Sequence, residues 1–155
     1  MHPLLNKLAP SAFTLKNQHN VDVNLADIIG KGKRSLVLFF YPKDNTFGCT
    51  KEACSFRDQF EDLSRLEADV IGVSSDSVES HKRFAEQHKL PYTLLADTEG
   101  ELRQAYQVPK WYFGMPGRTT YIIGKDGTIK DVLDSQVLFA QHVSNALKIL
   151  EKGKA

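Results

Sequence analysis

The sequence predicts an α/β domain built on a mixed central sheet. Three observations carry this. Two short apolar runs, Leu36 to Phe40 and Val70 to Val73, flank a helical pattern, which is the mark of a parallel strand–helix–strand crossover. A second pair of apolar runs is joined by Gly124-Lys-Asp-Gly127, a hairpin signal. The chain then closes on an amphipathic helix. Its 155 residues suit one domain, 1–155, with enough chain to bury a full core. Hydrophobic residues at 41% and charged residues at 25% exclude a disordered or fibrous chain.

The elements follow in order. Phe13 to Leu15 and Val21 to Val23 read as a small N-terminal hairpin around the polar stretch 16–20. Asn24 is placed to cap a short helix over Leu25 to Ile29, ended by Gly30 and Gly32. Leu36 to Phe40 is continuously apolar, as a central strand buried on both faces must be, and Pro42 ends it. Beyond the loop, Cys49, Ala53, Phe56, Phe60 and Leu63 recur at spacings of 4, 3, 4 and 3, one apolar stripe along a helix. Val70 to Val73 is the next buried strand. Asp76 with Glu79 has the spacing of a capping box opening a helix to about His88. Tyr92 to Leu95 reads as a strand and Glu101 to Tyr106 as a short helix. Thr119 to Ile123 and Thr128 to Val132 form the hairpin. The last helix runs from about Gln136 to Leu150, with Phe139, Val143, Ala146 and Leu150 on one face. This outline is compatible with a thioredoxin-like fold.

Charge and hydropathy narrow the function. Twenty basic against 19 acidic side chains leave a net charge of +1, so no bulk electrostatic argument points to nucleic acid or to an anionic membrane. The longest apolar run, Leu36 to Tyr41, is far too short to span a bilayer. The first residues, Met-His-Pro-Leu-Leu-Asn-Lys, lack the apolar core of a secretory signal. The expectation is therefore a cytoplasmic domain, or one released from a longer precursor.

Two cysteines are too few for a disulfide-stapled scaffold, and both fall within Cys49-Thr-Lys-Glu-Ala-Cys54. On sequence grounds alone they serve redox chemistry, metal binding or simple core packing. No further Cys or His follows at zinc-ligand spacing, and the five histidines, His2, His19, His81, His88 and His142, are dispersed and read as surface or core-edge residues. Cys49 falls where a strand has ended and a helix begins, where unpaired N–H groups and the helix dipole favour a thiolate. It also lies on the apolar stripe, and shielding acts the other way, so a reactive Cys49 needs a cationic partner from elsewhere. Cys54, five residues on, sits roughly 140° around the helix and about 7.5 Å along it. The Cα atoms are then roughly 8–9 Å apart, beyond the disulfide limit of about 7 Å. Joining the two sulfurs requires the helix to unwind.

The segment Tyr41-Pro-Lys-Asp-Asn-Thr-Phe-Gly-Cys-Thr-Lys-Glu-Ala-Cys54 resembles the active-site signature of the peroxiredoxins, and more narrowly of the peroxiredoxin Q (bacterioferritin-comigratory protein) subfamily. The family pattern Pro-x-x-x-Thr-x-x-Cys is matched by Pro42, Thr46 and Cys49. The subfamily's Gly-Cys-Thr-x-Glu-x-Cys is matched by Gly48 to Cys54. Gly117-Arg-Thr-Thr-Tyr-Ile-Ile-Gly-Lys-Asp-Gly127 resembles the later active-site strand, whose arginine matches Arg118, and Ala9 to Leu15 resembles the family's opening with one residue inserted near Ser11. Phe47 stands where many members have proline.

The resemblance implies a thiol peroxidase acting on hydrogen peroxide and organic hydroperoxides. It makes Cys49 the peroxidatic nucleophile and Cys54 the resolving thiol of an intramolecular disulfide. Arg118 is the cation beside the thiolate, Thr46 the hydroxyl that aligns the peroxide, and Pro42 the residue that fixes and shields the loop. Glu52 belongs to the motif without a direct catalytic role and is expected in the helix's first turn. Thioredoxin or a similar dithiol is the implied reductant, the protein is expected to be a monomer, and no haem, flavin or metal is required. Two other readings stay open on the residues: a general disulfide oxidoreductase, which ordinarily uses a tighter Cys-x-x-Cys, and a redox-sensing binding module.

Overall fold

The computed structural model describes residues 2–110, 118–134 and 139–154. It has the thioredoxin-like architecture: a five-stranded mixed sheet, helices packed on it, and a separate N-terminal hairpin. The hairpin strands are β1 (Thr14–Lys16) and β2 (Asp22–Asn24), each one residue later than the apolar pattern placed it. Asn24 caps as expected, its Oδ1 accepting from Ala26 N at 3.1 Å, but the following turn is a single 3-10 turn, Leu25–Asp27, shorter than expected.

The sheet contains β3 (Ser35–Phe40), β4 (Ala68–Ser74), β5 (Thr93–Ala96), β6 (Thr119–Ile123) and β7 (Ile129–Asp134) in the order β5-β4-β3-β6-β7. Strands β3, β4 and β5 run parallel; β6 and β7 are antiparallel to their neighbours. β3 lies at the centre and is buried on both faces. Val37, Phe39 and Tyr41 join one core layer; Leu36, Leu38 and Phe40 join the other. The turn between β6 and β7 closes with Gly127 at φ +89°, where a Cβ would lie 3.3 Å from Gly30 Cα, so a side chain there is strained and crowded.

The first core layer is completed by α1 (Phe47–Asp58), α2 (Phe60–Arg65), α3 (Val78–His88) and α5 (Phe139–Lys154). The second is covered by residues around the hairpin, the 3-10 turn and α4 (Glu101–Ala105). The continuous stripe expected from Cys49 to Leu63 is in fact two helices that turn at Gln59. That turn lets Phe60 pack on Tyr92, ring centroids 6.4 Å apart, while Leu63 stays in the core. The expected capping box is also corrected. Ser77, not Asp76, caps α3, its Oγ accepting from Ser80 N at 3.1 Å. Asp76 is drawn away: its Oδ2 accepts from Asp44 N at 2.8 Å and from Ser74 Oγ at 2.6 Å.

Of the terminal helix, Val143, Ala146 and Leu150 form the buried face as expected. The expected start at Gln136, the side chain of Phe139, and Gly117 lie outside the described residues. Among the described residues no helix is long and apolar enough to cross a membrane.

Candidate active site

The site forms where the buried strand gives way to a helix. β3 ends at Phe40, the chain passes Tyr41 and the half-buried Pro42, and α1 opens at Phe47 with Thr46 as its N-cap residue. Cys49 is the third residue of α1, so its sulfur lies in the turn whose backbone N–H groups face outward from the helix end. It is 1% exposed.

The cation required by this burial comes from the sheet. β6 pairs antiparallel with β3, Thr119 opposite Phe40, which sets the preceding residue, Arg118, beside the point where the chain leaves the sheet. Arg118 Nη2 donates to Cys49 Sγ at 3.3 Å, and Nη1 donates to Glu52 Oε1 at 2.8 Å. One planar guanidinium thus spans the sulfur and a carboxylate, a geometry that lysine cannot reproduce. Burial alone would lower Arg118, but the Glu52 carboxylate and the Cys49 sulfur outweigh it and hold the guanidinium above its usual value.

Glu52 lies in the second turn of α1, not the first as the sequence reading expected, and it is fully buried. Burial pushes its carboxyl up to about 7, against the opposing pull of Arg118. Its second oxygen, Oε2, has no hydrogen-bond donor among the described residues, yet lies 3.2 Å from His142 Nδ1. That ring nitrogen is also 2.7 Å from Thr120 Oγ1. The reading of His81 and His142 as surface or core-edge residues is therefore corrected: both are completely buried in polar networks.

Thr46 is exposed, and its hydroxyl donates to the Lys43 carbonyl at 2.9 Å, not to Cys49. In this state it shapes the loop. Phe47 is 76% exposed, with Lys51 Nζ 5.6 Å from its ring centre. Cys54 is half-buried on another side of α1, and both cysteines are free thiols. Tyr92, whose hydroxyl donates to Ala53 O at 2.7 Å, is raised by burial and then by the nearby Glu52 and Cys54.

Two features escaped the sequence reading. Arg103 on α4 donates to the Tyr41 carbonyl at 2.9 Å and is close enough to Cys49 to feel its charge; burial lowers it, with Asp97, Tyr121 and Cys49 acting the other way. The second is a clamp on the active-site loop. Asp44 accepts from Tyr41 Oη at 2.6 Å and from Ser80 Oγ at 2.8 Å, and lies 2.8 Å from His81 Nδ1, while His81 Nε2 faces the Leu95 carbonyl at 3.0 Å. Asp44, Asp76 and His81 bring ligand-type atoms within 4.8 Å of one another, but those atoms already carry these hydrogen bonds, so the group acts as a loop anchor. No local pattern signals either feature, since each joins residues more than 30 positions apart.

What the arrangement can do is specific. A shielded thiol at a helix N-terminus, with a fixed guanidinium at hydrogen-bond distance, is built to act as a thiolate nucleophile and to stabilise charge on a departing oxygen. An Arg118→Ala variant is expected to react with peroxide about 10²–10³-fold more slowly, the range for losing one fixed anion-stabilising donor, and to need higher pH for alkylation of Cys49. Stopped-flow oxidation and the pH profile of iodoacetamide labelling check this; an unchanged profile removes Arg118 from the chemistry.

Comparison with known proteins agrees with the geometry. Residues 5–132 match the AhpC/TSA family. The chain is 44% identical over 146 residues to chloroplastic peroxiredoxin Q of Sedum lineare, covering 94% of this chain and 77% of that protein. It spans less than two thirds, 64–66%, of the length of the chloroplastic peroxiredoxin Q proteins of Gentiana triflora, Suaeda salsa, Triticum aestivum and Populus jackii. Among solved structures it is similar to peroxidoxin BcpB of Mycobacterium tuberculosis (TM-score 0.83, 33% identity, 94% of this chain and 96% of that one). It is also similar to the Xanthomonas campestris bacterioferritin comigratory protein, a structure described for insights into alkyl peroxide reduction (TM-score 0.86, 27% identity, 96% and 98%).

Proposed function

This chain belongs to the AhpC/TSA family, within its peroxiredoxin Q group, and from that premise we propose that it is a thiol peroxidase working through Cys49 and Cys54. The observation that carries the reading is the 3.3 Å contact between Arg118 Nη2 and the buried Cys49 sulfur. The Cys49 thiolate attacks one peroxide oxygen. An S–O bond forms as the O–O bond breaks, and the other oxygen leaves as water or an alcohol once protonated. Arg118 stabilises the charge on that leaving oxygen, and Pro42 holds the loop that shields the sulfur. Thr46 orients the peroxide, which requires its hydroxyl to exchange the Lys43 carbonyl for the incoming oxygen.

The Cys54 thiolate then displaces hydroxide from the Cys49 sulfenic acid, which leaves as water and gives an intramolecular disulfide. A dithiol, thioredoxin in the simplest case, reduces that disulfide by exchange and is itself oxidised. Both sulfurs lie on one helix, which supports a cycle completed within a single chain; the compartment proposed for it is the cytoplasm. The relative studied for alkyl peroxide reduction supports organic hydroperoxides as substrates beside hydrogen peroxide.

The test is oxidation of the fully reduced protein by one equivalent of hydrogen peroxide, followed by thiol counting and intact mass. Fast loss of both thiols, a mass decrease of about 2 Da for the two hydrogens of the disulfide and no covalent dimer are expected. Slow oxidation with both thiols intact overturns the peroxidase reading in favour of a binding module.

A further inference from the structure

Behind Arg118 the polar contacts continue into the protein. From Cys49 Sγ the distances run 3.3 Å to Arg118, 2.8 Å from Arg118 to Glu52 Oε1, 3.2 Å from Glu52 Oε2 to His142 Nδ1, and 2.7 Å from there to Thr120 Oγ1. All five side chains are buried or nearly so, which makes the net charge of the group costly unless it is zero. Arg118 always carries its proton. With His142 taken as the Nε2–H tautomer when neutral, the cluster is neutral with one further proton, and that proton has three places to sit. On Cys49 it leaves a thiol. On Glu52 Oε2, or on His142 Nδ1, it leaves a thiolate.

We propose that Cys49, Glu52 and His142 share this one proton, and that His142 holds it when Cys49 is a thiolate, neutralising Glu52 so that the Arg118 charge is left for the sulfur. His142 is then a positioning residue: it touches neither sulfur nor peroxide and acts through Glu52. Two features fit the role. Glu52 Oε2 otherwise lacks a donor among the described residues, and Thr120 can donate to a bare Nδ1 or accept from a protonated one. Burial pushes the Glu52 carboxyl up to about 7, so Glu52 is itself able to take up a proton near neutral pH.

Among the described residues, the other ionisable groups around the pair are engaged elsewhere or are held in one protonation state. On α1, Lys51 is exposed, and Arg57 pairs with Asp58 and donates to His88 O; Tyr92 is near enough to Glu52 to feel its charge, but burial keeps its hydroxyl protonated and that hydroxyl donates to Ala53 O. On β6, the Tyr121 hydroxyl donates to Tyr106 O. On β7, Asp131 accepts from Asn145, Asp134 from Thr119, and Lys130 pairs with Asp126.

The inference rests on the peroxidase reading only for its biological meaning, because its test reads the ionisation of Cys49 by iodoacetamide labelling and needs no peroxide. His142→Asn places an amide nitrogen near the Nδ1 position but holds no extra proton. Labelling of Cys49 in a Cys54→Ser background is expected to fall about tenfold at pH 6 and to match the parent at pH 9. A merely structural role would change the rate at all pH values alike. Glu52→Gln removes the charge that His142 answers, so adding His142→Asn to it is expected to produce no further change at pH 6. A tenfold loss that persists in the Glu52→Gln background overturns the proposal, as does an unchanged profile in the single variant. Should His142→Asn fail to fold, the intact protein gives the answer by NMR. Capping Cys49 as an uncharged methyl disulfide is expected to shift the His142 ring titration to lower pH, and an identical titration with Cys49 free or capped overturns the proposal.

Discussion

A Cys49→Ser variant is expected to lose peroxide reduction by at least ~10³-fold while keeping its fold, because a serine hydroxyl, unlike a thiol, stays protonated near neutral pH and is a far weaker nucleophile. The substitution is small in volume. Cys49 is 1% exposed among Ala53, Phe56 and the aromatic side chains of β3, and an oxygen in place of sulfur still accepts from Arg118 Nη2. The cost to stability is therefore expected to stay within ~1.5 kcal/mol, as for near-isosteric core changes, with the circular-dichroism melt little altered. Peroxide consumption, followed colorimetrically with a dithiol reductant present, is the measurement. More than a tenth of the parent rate in the variant would show that the sulfur beside Arg118 is not the reacting atom.

The readable part of this protein is its local chemistry. The apolar run that becomes β3 and the 4-3-4-3 spacing that puts Cys49 on the buried face of α1 are properties of adjacent residues, and both are found where the spacing puts them. The need for a cation beside Cys49 is also legible, from burial and thiolate chemistry. Its source is not, because Arg118 arrives through the pairing of β6 with β3, a register set across nearly 80 residues. On its own Arg118 reads as a strand-end arginine, and the motif match alone singles it out.

The misreadings share a cause. Asp76 and Glu79 have the spacing of a capping box, but the Asp76 carboxylate finds the Asp44 amide and the Ser74 hydroxyl in three dimensions and leaves the cap to Ser77. Glu52 looks like a carboxylate answering a helix dipole, whereas burial between Arg118 and His142 makes it part of the site's charge balance. Gln59 breaks the stripe at a point where packing against Tyr92 outweighs helix continuity. Periodicity records which side chains are apolar; it does not record which polar groups meet once the sheet has formed.

The resolving step carries the second large expectation. In a Cys54→Ser variant the first oxidation is expected within about twofold of the parent rate, since Cys54 lies outside the Cys49–Arg118–Glu52 contacts. The product is expected to stop at the sulfenic acid, about 16 Da heavier, and turnover with a dithiol reductant to fall by at least ~10²-fold. The parent must instead dismantle its own helix. Residues 49 to 54 are helical without interruption, and a helical separation of five residues keeps the Cα atoms beyond the disulfide limit of about 7 Å. Forming the bond therefore breaks the first turns of α1, including the Thr50 N to Thr46 O bond, and pulls Cys49 away from Arg118. Hydrogen exchange is expected to show amides 50–54 losing protection on oxidation of the parent but keeping it in Cys54→Ser. Equal protection in the oxidised and reduced parent would mean that Cys54 is not the thiol that captures the sulfenic acid.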